Sequence, residues 1–184
     1  MEPVEQLVLA HEDGTPAGVA PKLETHHHDT PLHFAFSCYV FDAENRLLVT
    51  QRALHKKTWP GIWSNSCCGH PAPEEVTSDA VLRRLHQELG INALDSLELI
   101  LPDFRYRAEL DGIVENEICP VYAARFTGEV SPNPEEVADY YWLPWTEYVQ
   151  LALAPDSTLS PWTQLQVQEL HSHPALNQFL SLAT

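Results

Sequence analysis

The clearest period in this chain lies between Thr77 and Gly90. Val81, Leu82, Leu85 and Leu89 recur there at helical spacing, Ser78 or Asp79 can cap the first turn, and Gly90 supplies a left-handed terminator. One well-bounded helix set among strand-like segments restricts the chain to α/β architectures. Upstream, His33 to Phe41 is aromatic and β-branched and is followed by Asp42-Ala-Glu-Asn-Arg and then Leu47 to Thr50, which predicts a hairpin. Ala53 to Pro73 carries three Pro, two Gly and two Trp without a sustained period and reads as a long ordered loop, a kind of segment that commonly carries function. Downstream, strands are expected at Leu97 to Ile100, Phe104 to Leu110 and Ile113 to Phe126, the last two joined by the turn-forming Asp111-Gly112. Tyr140 to Leu143 predicts one more strand, followed by a helix to about Leu153. Ser160-Pro161 opens a helix over Trp162 to His171, and a short one follows Pro174.

The 184 residues, 44% of them hydrophobic, suit one compact domain over 1–184, with an N-terminal extension of about 1–30 and C-terminal helices at about 144–182. A formal charge of -16 makes the average surface repel nucleic acid, so any small anion needs a local basic pocket. Cys38, Cys67, Cys68 and Cys119 lack zinc-finger spacing and two are adjacent, which favours reduced thiols and a cytoplasmic protein. The first thirty residues carry Glu2, Glu5, Glu12 and Asp13 and no long apolar run, and no stretch approaches the roughly 20 apolar residues of a membrane span. No membrane partner is expected.

Gly69, Glu75, Arg83, Leu85, Glu88, Gly90 and Ile91 fall on the frame of the Nudix signature, but Arg84 and Gln87 stand where two of its helix glutamates belong. A Nudix hydrolase needs several carboxylates on that face to hold divalent ions against a diphosphate. The frame survives here without its carboxylate cluster, and the helix alone is equally an ordinary amphipathic one with Arg84 and Glu88 as an exposed i,i+4 pair.

The neighbouring segments are more specific. Thr58-Trp59-Pro60-Gly61-Ile62-Trp63-Ser64-Asn65-Ser66-Cys67-Cys68-Gly69-His70-Pro71, Pro102-Asp103-Phe104-Arg105-Tyr106-Arg107 and Gly112-Ile113-Val114-Glu115-Asn116-Glu117 resemble type 1 isopentenyl-diphosphate isomerases, and the resemblance runs from about Lys22 to Trp162. It implies a Nudix-like fold of mixed β-sheets flanked by helices, acting on a small isoprenoid diphosphate as a monomer or weak homodimer. By the same resemblance Cys68 and Glu117 are catalytic, with Tyr106 assisting. His26, His33, His70, Glu115 and Glu117 match five ligands of a zinc, manganese or magnesium ion, so the N-terminal extension contributes to the site. Lys22, Arg52, Lys56 and Arg84 match diphosphate contacts, Glu88 a carboxylate at a substrate-bound magnesium, and Trp162 the aromatic beside the isoprenoid carbons. Cys67 departs from the pattern, which has an apolar residue there.

The residue types suit that chemistry. An alkene is a weak base, so moving its double bond by protonation needs a strong acid at one carbon and a base at another, and a carboxyl and a thiol can divide the work. Alternation along Val114 to Ile118 turns Glu115 and Glu117 to one strand face, where an isolated pair would more often be solvated. An isolated Cys is more often a small buried hydrophobe, and Trp162 also suits core packing. Two other readings stay open on the residues: a Nudix diphosphate hydrolase, and a metal-binding module without catalysis.

Overall fold

A computed structural model describes residues 4–182; Glu2 and the extreme ends of the expected domain lie outside them. In chain order the elements are β1 (Gln6–Ala10), β2 (Pro16–Pro21), α1 (Lys22–Thr25), β3 (His33–Phe34), β4 (Phe36–Phe41), β5 (Arg46–Arg52), β6 (Trp63–Ser64), β7 (Cys67–Gly69) and α2 (Thr77–Leu89). There follow β8 (Ser96–Leu101), β9 (Arg105–Leu110), β10 (Ile113–Ile118), β11 (Val121–Arg125), β12 (Val137–Pro144), α3 (Trp145–Leu153), α4 (Pro161–Leu170) and α5 (Pro174–Ser181). The fold is mixed α/β, with one sheet ordered β2-β1-β3-β10-β9 and another ordered β12-β5-β4-β11-β8.

Two segments expected as single strands are each divided between the sheets. His33 to Phe41 breaks at Ala35 into β3 and β4, and Ile113 to Phe126 breaks at Cys119-Pro120 into β10 and β11. β3 runs parallel to β10 and β4 parallel to β11, so the chain crosses between sheets twice at one level. Ala35 donates to the carbonyl of Ile118 and Ser37 to that of Pro120, which satisfies the backbone through the crossing.

The expected pairing of β4 with β5 survives only beside the turn, at Phe41 with Leu47. Farther along the two strands splay, and the loop after Ala53 contributes β7 to β4 and β6 to β5. Side chains complete the bonding that direct pairing would have made. Val40 N–H donates to Ser66 Oγ at 2.8 Å, Ser66 Oγ donates to the Leu48 carbonyl at 2.7 Å, and Asn65 Nδ2 donates to the Cys38 carbonyl at 3.0 Å. The loop is therefore part of the sheet.

Alternation in β4 builds two cores. Phe36, Cys38 and Val40 meet Ala80, Val81, Leu85 and Leu89 of α2, whereas Tyr39 and Phe41 join Trp145, Tyr148, Val167 and Leu170 of the C-terminal helices. Leu82, counted in the apolar period, is instead 43% exposed, and α2 begins after Val76 without a side-chain cap from Ser78 or Asp79. Ser160 does cap α4, accepting from the Thr163 N–H, with Pro161 in the first turn. The β9–β10 turn has Asp111 and Gly112 both at positive φ, as its tight hairpin requires. The β1–β2 hairpin went unread in the sequence because Pro16, Ala17, Gly18 and Ala20 carry almost no strand signal.

Gly90 closes α2 at φ 66°, with its N–H on the His86 carbonyl and Ile91 N–H on that of Leu85. A Cβ there would lie 2.9 Å from the Ser131 carbonyl oxygen. Gly90→Ala is expected to lower unfolding free energy by about 1–3 kcal/mol, read as a reduced urea midpoint at unchanged slope. A midpoint equal to that of the parent would contradict this account of the cap.

Candidate active site

The register of the first sheet builds the centre of the site. Glu117 on β10 stands opposite Tyr106 of β9 on one side and His33 of β3 on the other, and residues so paired share a face. Tyr106 donates its hydroxyl to Glu117 Oε2 at 2.8 Å. The other carboxylate oxygen, Oε1, lies 3.1 Å from His70 Nε2 and 3.3 Å from His33 Nε2. Glu115, two residues earlier, approaches His26 Nε2 at 3.1 Å. Both carboxylates are buried, so the solvated-face reading of this strand is overturned.

His26 Nδ1 lies 3.0 Å from the Lys22 carbonyl and His33 Nδ1 2.9 Å from that of Pro31. An N–H donated to each carbonyl leaves the Nε2 lone pair free, which is how ligating imidazoles are usually oriented. The five residues each offer an atom within 4.8 Å of all the others. His26 Nε2, His33 Nε2 and Glu115 Oε2 are buried and have no hydrogen-bond partner among the described residues. Their close approaches to carboxylate or imidazole bring atoms near without aligning donor and acceptor. Buried polar atoms left in that condition are costly, and atoms converging on a point between them suit a divalent ion. The set fits a divalent metal.

The two carboxylates call for positive charge at the same point. Burial opposes a charge on His26 and His33, but the adjoining Glu115 and Glu117 outweigh it and raise both above the usual imidazole value. His70 moves the other way, pushed well down by burial and then by Lys22 and His33. Burial also works against a charged Glu117, yet His33 and Tyr106 hold its carboxyl below the usual range.

These groups share a cavity of about 480 Å³ with Cys68, Trp162, Glu88, Lys22, Arg52, Lys56 and Arg84. Every residue assigned from the sequence is accounted for there except His33, which is fully buried behind the cavity wall with its Nε2 toward Glu117. Cys68 reaches the cavity from β7, and burial pushes its thiol up to about 12 against hydrogen bonds to Ser37 and Asn65. The cations are paired: Lys22 Nζ is 2.9 Å from Glu5, Lys56 Nζ is 2.8 Å from Glu136, and Arg84 bridges Glu136 and Glu88. The Arg84–Glu88 pair, exposed if the helix were an ordinary amphipathic one, forms but is largely covered, side chains 13% and 11% exposed. It is covered because Gly69 lets β7 close on α2, where a Cβ would meet the Arg84 stem at 2.9 Å. Arg52 is fixed by the carbonyl and hydroxyl of Thr58.

Residues 31–163 match the NUDIX domain model, and curated relatives carry the similarity across nearly the whole chain. A protein of Mycolicibacterium vanbaalenii is 53% identical over 164 residues, 89% of this chain and 90% of its own length. One from Frankia alni is 56% identical over 160 residues, 86% and 82% of the two chains; each is named isopentenyl-diphosphate Delta-isomerase. The chain belongs to the isopentenyl-diphosphate Delta-isomerase family. Solved structures agree on the fold alone. DR0079 from Deinococcus radiodurans superposes with a TM-score of 0.68 at 18% identity, covering 89% of this chain and 98% of its own, and a MutT protein from Methanosarcina mazei with 0.60.

For an isomerase of this family the sequence reading missed several residues of the cavity. Glu5 and Glu136 come from segments without periodicity, and no local signal announces them. Trp59 was visible within its aromatic loop: it is buried at φ 52°, a strained angle for a bulky side chain, and meets Trp162 edge-on at 5.3 Å. Tyr106 lies 6.1 Å from Trp162, and all three aromatic rings line the cavity.

Proposed function

We propose that this chain interconverts isopentenyl diphosphate and dimethylallyl diphosphate by proton addition and removal. The observation that carries the reading is that Cys68, from one sheet, and the Tyr106–Glu117 pair, from the other, line a single cavity with Lys22, Arg52, Lys56, Arg84 and an aromatic wall. Family membership supports the reaction class. In the forward direction the Glu117 carboxyl, steadied by Tyr106, gives its proton to the terminal methylene carbon, and cationic character develops at the tertiary carbon. The Cys68 sulfur takes a proton from the carbon on the far side of that centre, and the electrons of the broken C–H bond become the new double bond. The reverse direction begins from carboxylate and thiol. The π faces of Trp162 and Trp59 favour the developing cation, and water exclusion strengthens that interaction.

We assign a divalent metal, zinc, manganese or magnesium, to His26, His33, His70, Glu115 and Glu117, and three imidazoles favour zinc while two carboxylates suit the other two. A divalent ion held there supplies Lewis acidity that makes a proton carried on Glu117 more acidic. Lys22, Arg52, Lys56 and Arg84 hold the diphosphate, with Glu88 at a magnesium carried by the substrate. Hydrolysis has weaker support, because Arg84 and Gln87 replace carboxylates that it requires and Arg84 occupies the remaining Glu88. Four free cysteines fit the cytoplasm, and no helix of the described residues is long and apolar enough to cross a membrane.

Proton NMR of isopentenyl diphosphate incubated with the protein, magnesium and manganese in heavy water tests the reading. Appearance of deuterated dimethylallyl diphosphate is expected; neither isomer formation nor deuterium in the substrate would overturn it. A second measurement addresses the metal. Adding zinc or manganese to chelator-treated protein at a hundredfold excess over Kd is expected to stabilise the fold by about 2.7 kcal/mol, and His33→Ala to abolish the gain. An unchanged melting temperature in the parent protein would count against the five-ligand centre.

A further inference from the structure

We propose that Ser37 is a positioning residue for Cys68, and that Gln166 of α4 holds it in that role. The proposal rests on the assignment of Cys68 to proton transfer.

The β4–β7 register sets Ser37 directly opposite Cys68, and Ser37 Oγ lies 3.4 Å from the Cys68 sulfur. The sulfur's other polar neighbour is Asn65 Oδ1, at 3.3 Å. Asn65 cannot turn its amide around, because Nδ2 already donates to the carbonyls of Cys38 and Cys67. It therefore presents only an acceptor, which suits a sulfur bearing its hydrogen and offers nothing to one that has given it up.

Ser37 supplies the missing donor. Gln166 Oε1 accepts from the Tyr39 hydroxyl at 2.7 Å, which orients the amide so that Nε2 donates to Ser37 Oγ at 2.9 Å. That bond occupies a lone pair of Ser37 and leaves its hydroxyl hydrogen for a sulfur. Two are in reach, Cys68 and Cys119, each at 3.4 Å. The hydrogen can turn to Cys119 while Cys68 holds its own proton and to Cys68 once that proton has moved to substrate. Thr163 steadies the chain from behind, 2.8 Å from the Tyr39 hydroxyl and 2.9 Å from that of Tyr148. Ser37, Gln166 and Thr163 are 0–1% exposed. Burying so many polar groups at one place costs stability that apolar side chains would not, so packing alone does not account for the cluster.

The test compares Ser37→Ala, Ser37→Thr and Gln166→Met, each confirmed folded by circular dichroism and melting temperature. Ser37→Ala is expected to lower kcat for isomerisation by between about tenfold and a hundredfold, the worth of one hydrogen bond to a charged group, with KM within about twofold. Gln166→Met, which keeps Ser37 and most of the packing volume, is expected to lower kcat several-fold, and Ser37→Thr to recover most of the parent rate. Parent-like kcat in Ser37→Ala overturns the proposal, as does a folded Ser37→Thr no faster than Ser37→Ala. Alkylation of Cys68 by iodoacetamide, followed by peptide mass spectrometry, separates this from the function itself. Slower alkylation in Ser37→Ala than in the parent upholds the Ser37–Cys68 contact even if the parent fails to isomerise the diphosphate, whereas equal rates overturn the contact.

Discussion

Cys68→Ala is expected to lower kcat for isomerisation by about a thousandfold, within the range for loss of a positioned acid or base, with KM nearly unchanged. The sulfur is one of two proton-transfer groups in the proposed reaction, and alanine has no atom that can take or give a proton. Binding should survive, because Lys22, Arg52, Lys56 and Arg84 come from other elements and keep their partners. The fold should survive as well, since Ser66 and Asn65 rather than Cys68 complete the splay of β4 and β5. Steady-state kinetics decides the matter: a folded Cys68→Ala protein turning over within tenfold of the parent would remove the thiol from the mechanism.

Glu117→Gln is expected to be at least as damaging, about a thousandfold to ten-thousandfold in kcat, because one carboxylate serves two ends. It faces Tyr106 through one oxygen and the imidazoles of His33 and His70 through the other. The amide keeps the size and can still accept from Tyr106, but it neither donates a proton to carbon nor ligates a cation as well. Glu115→Gln provides the control, since Glu115 pairs across the strands with Ala108 rather than Tyr106 and approaches His26 at 3.1 Å. Saturating metal should restore Glu115→Gln and leave Glu117→Gln inactive. Recovery of both at high metal would reduce Glu117 to a ligand.

Much of this site could be read from residue order, because its parts are local. Glu115 and Glu117 share a face wherever that segment becomes a strand, and the Asp111-Gly112 turn sets Tyr106 opposite Glu117 by register alone. The Gly69 to Ile91 frame similarly placed Glu88 on the same helix as Arg84 and at i+4 from it. Cap and sheet assignments went less well. Ser78 and Asp79 looked like caps because their residue types favour the role, yet α2 starts at Thr77 with Val76 at the cap position, and Glu75 just ahead of it is taken by Arg83 and the Ala72 N–H.

Residue order alone determined the α/β class, the Asp111-Gly112 hairpin, the terminator at Gly90 and the chemical types that gather at the site, since each depends on neighbours within a few positions. Tertiary structure decided the two crossings at Ala35 and Cys119-Pro120, the insertion of β6 and β7 between splayed strands, and the burial that turns Arg84 and Glu88 from a surface pair into a cavity wall. It also decided that Glu5, Glu136 and Ser37 join the site. Those outcomes depend on which distant segments compete for the same backbone hydrogen bonds and apolar surface, and that competition is settled only when the whole chain packs.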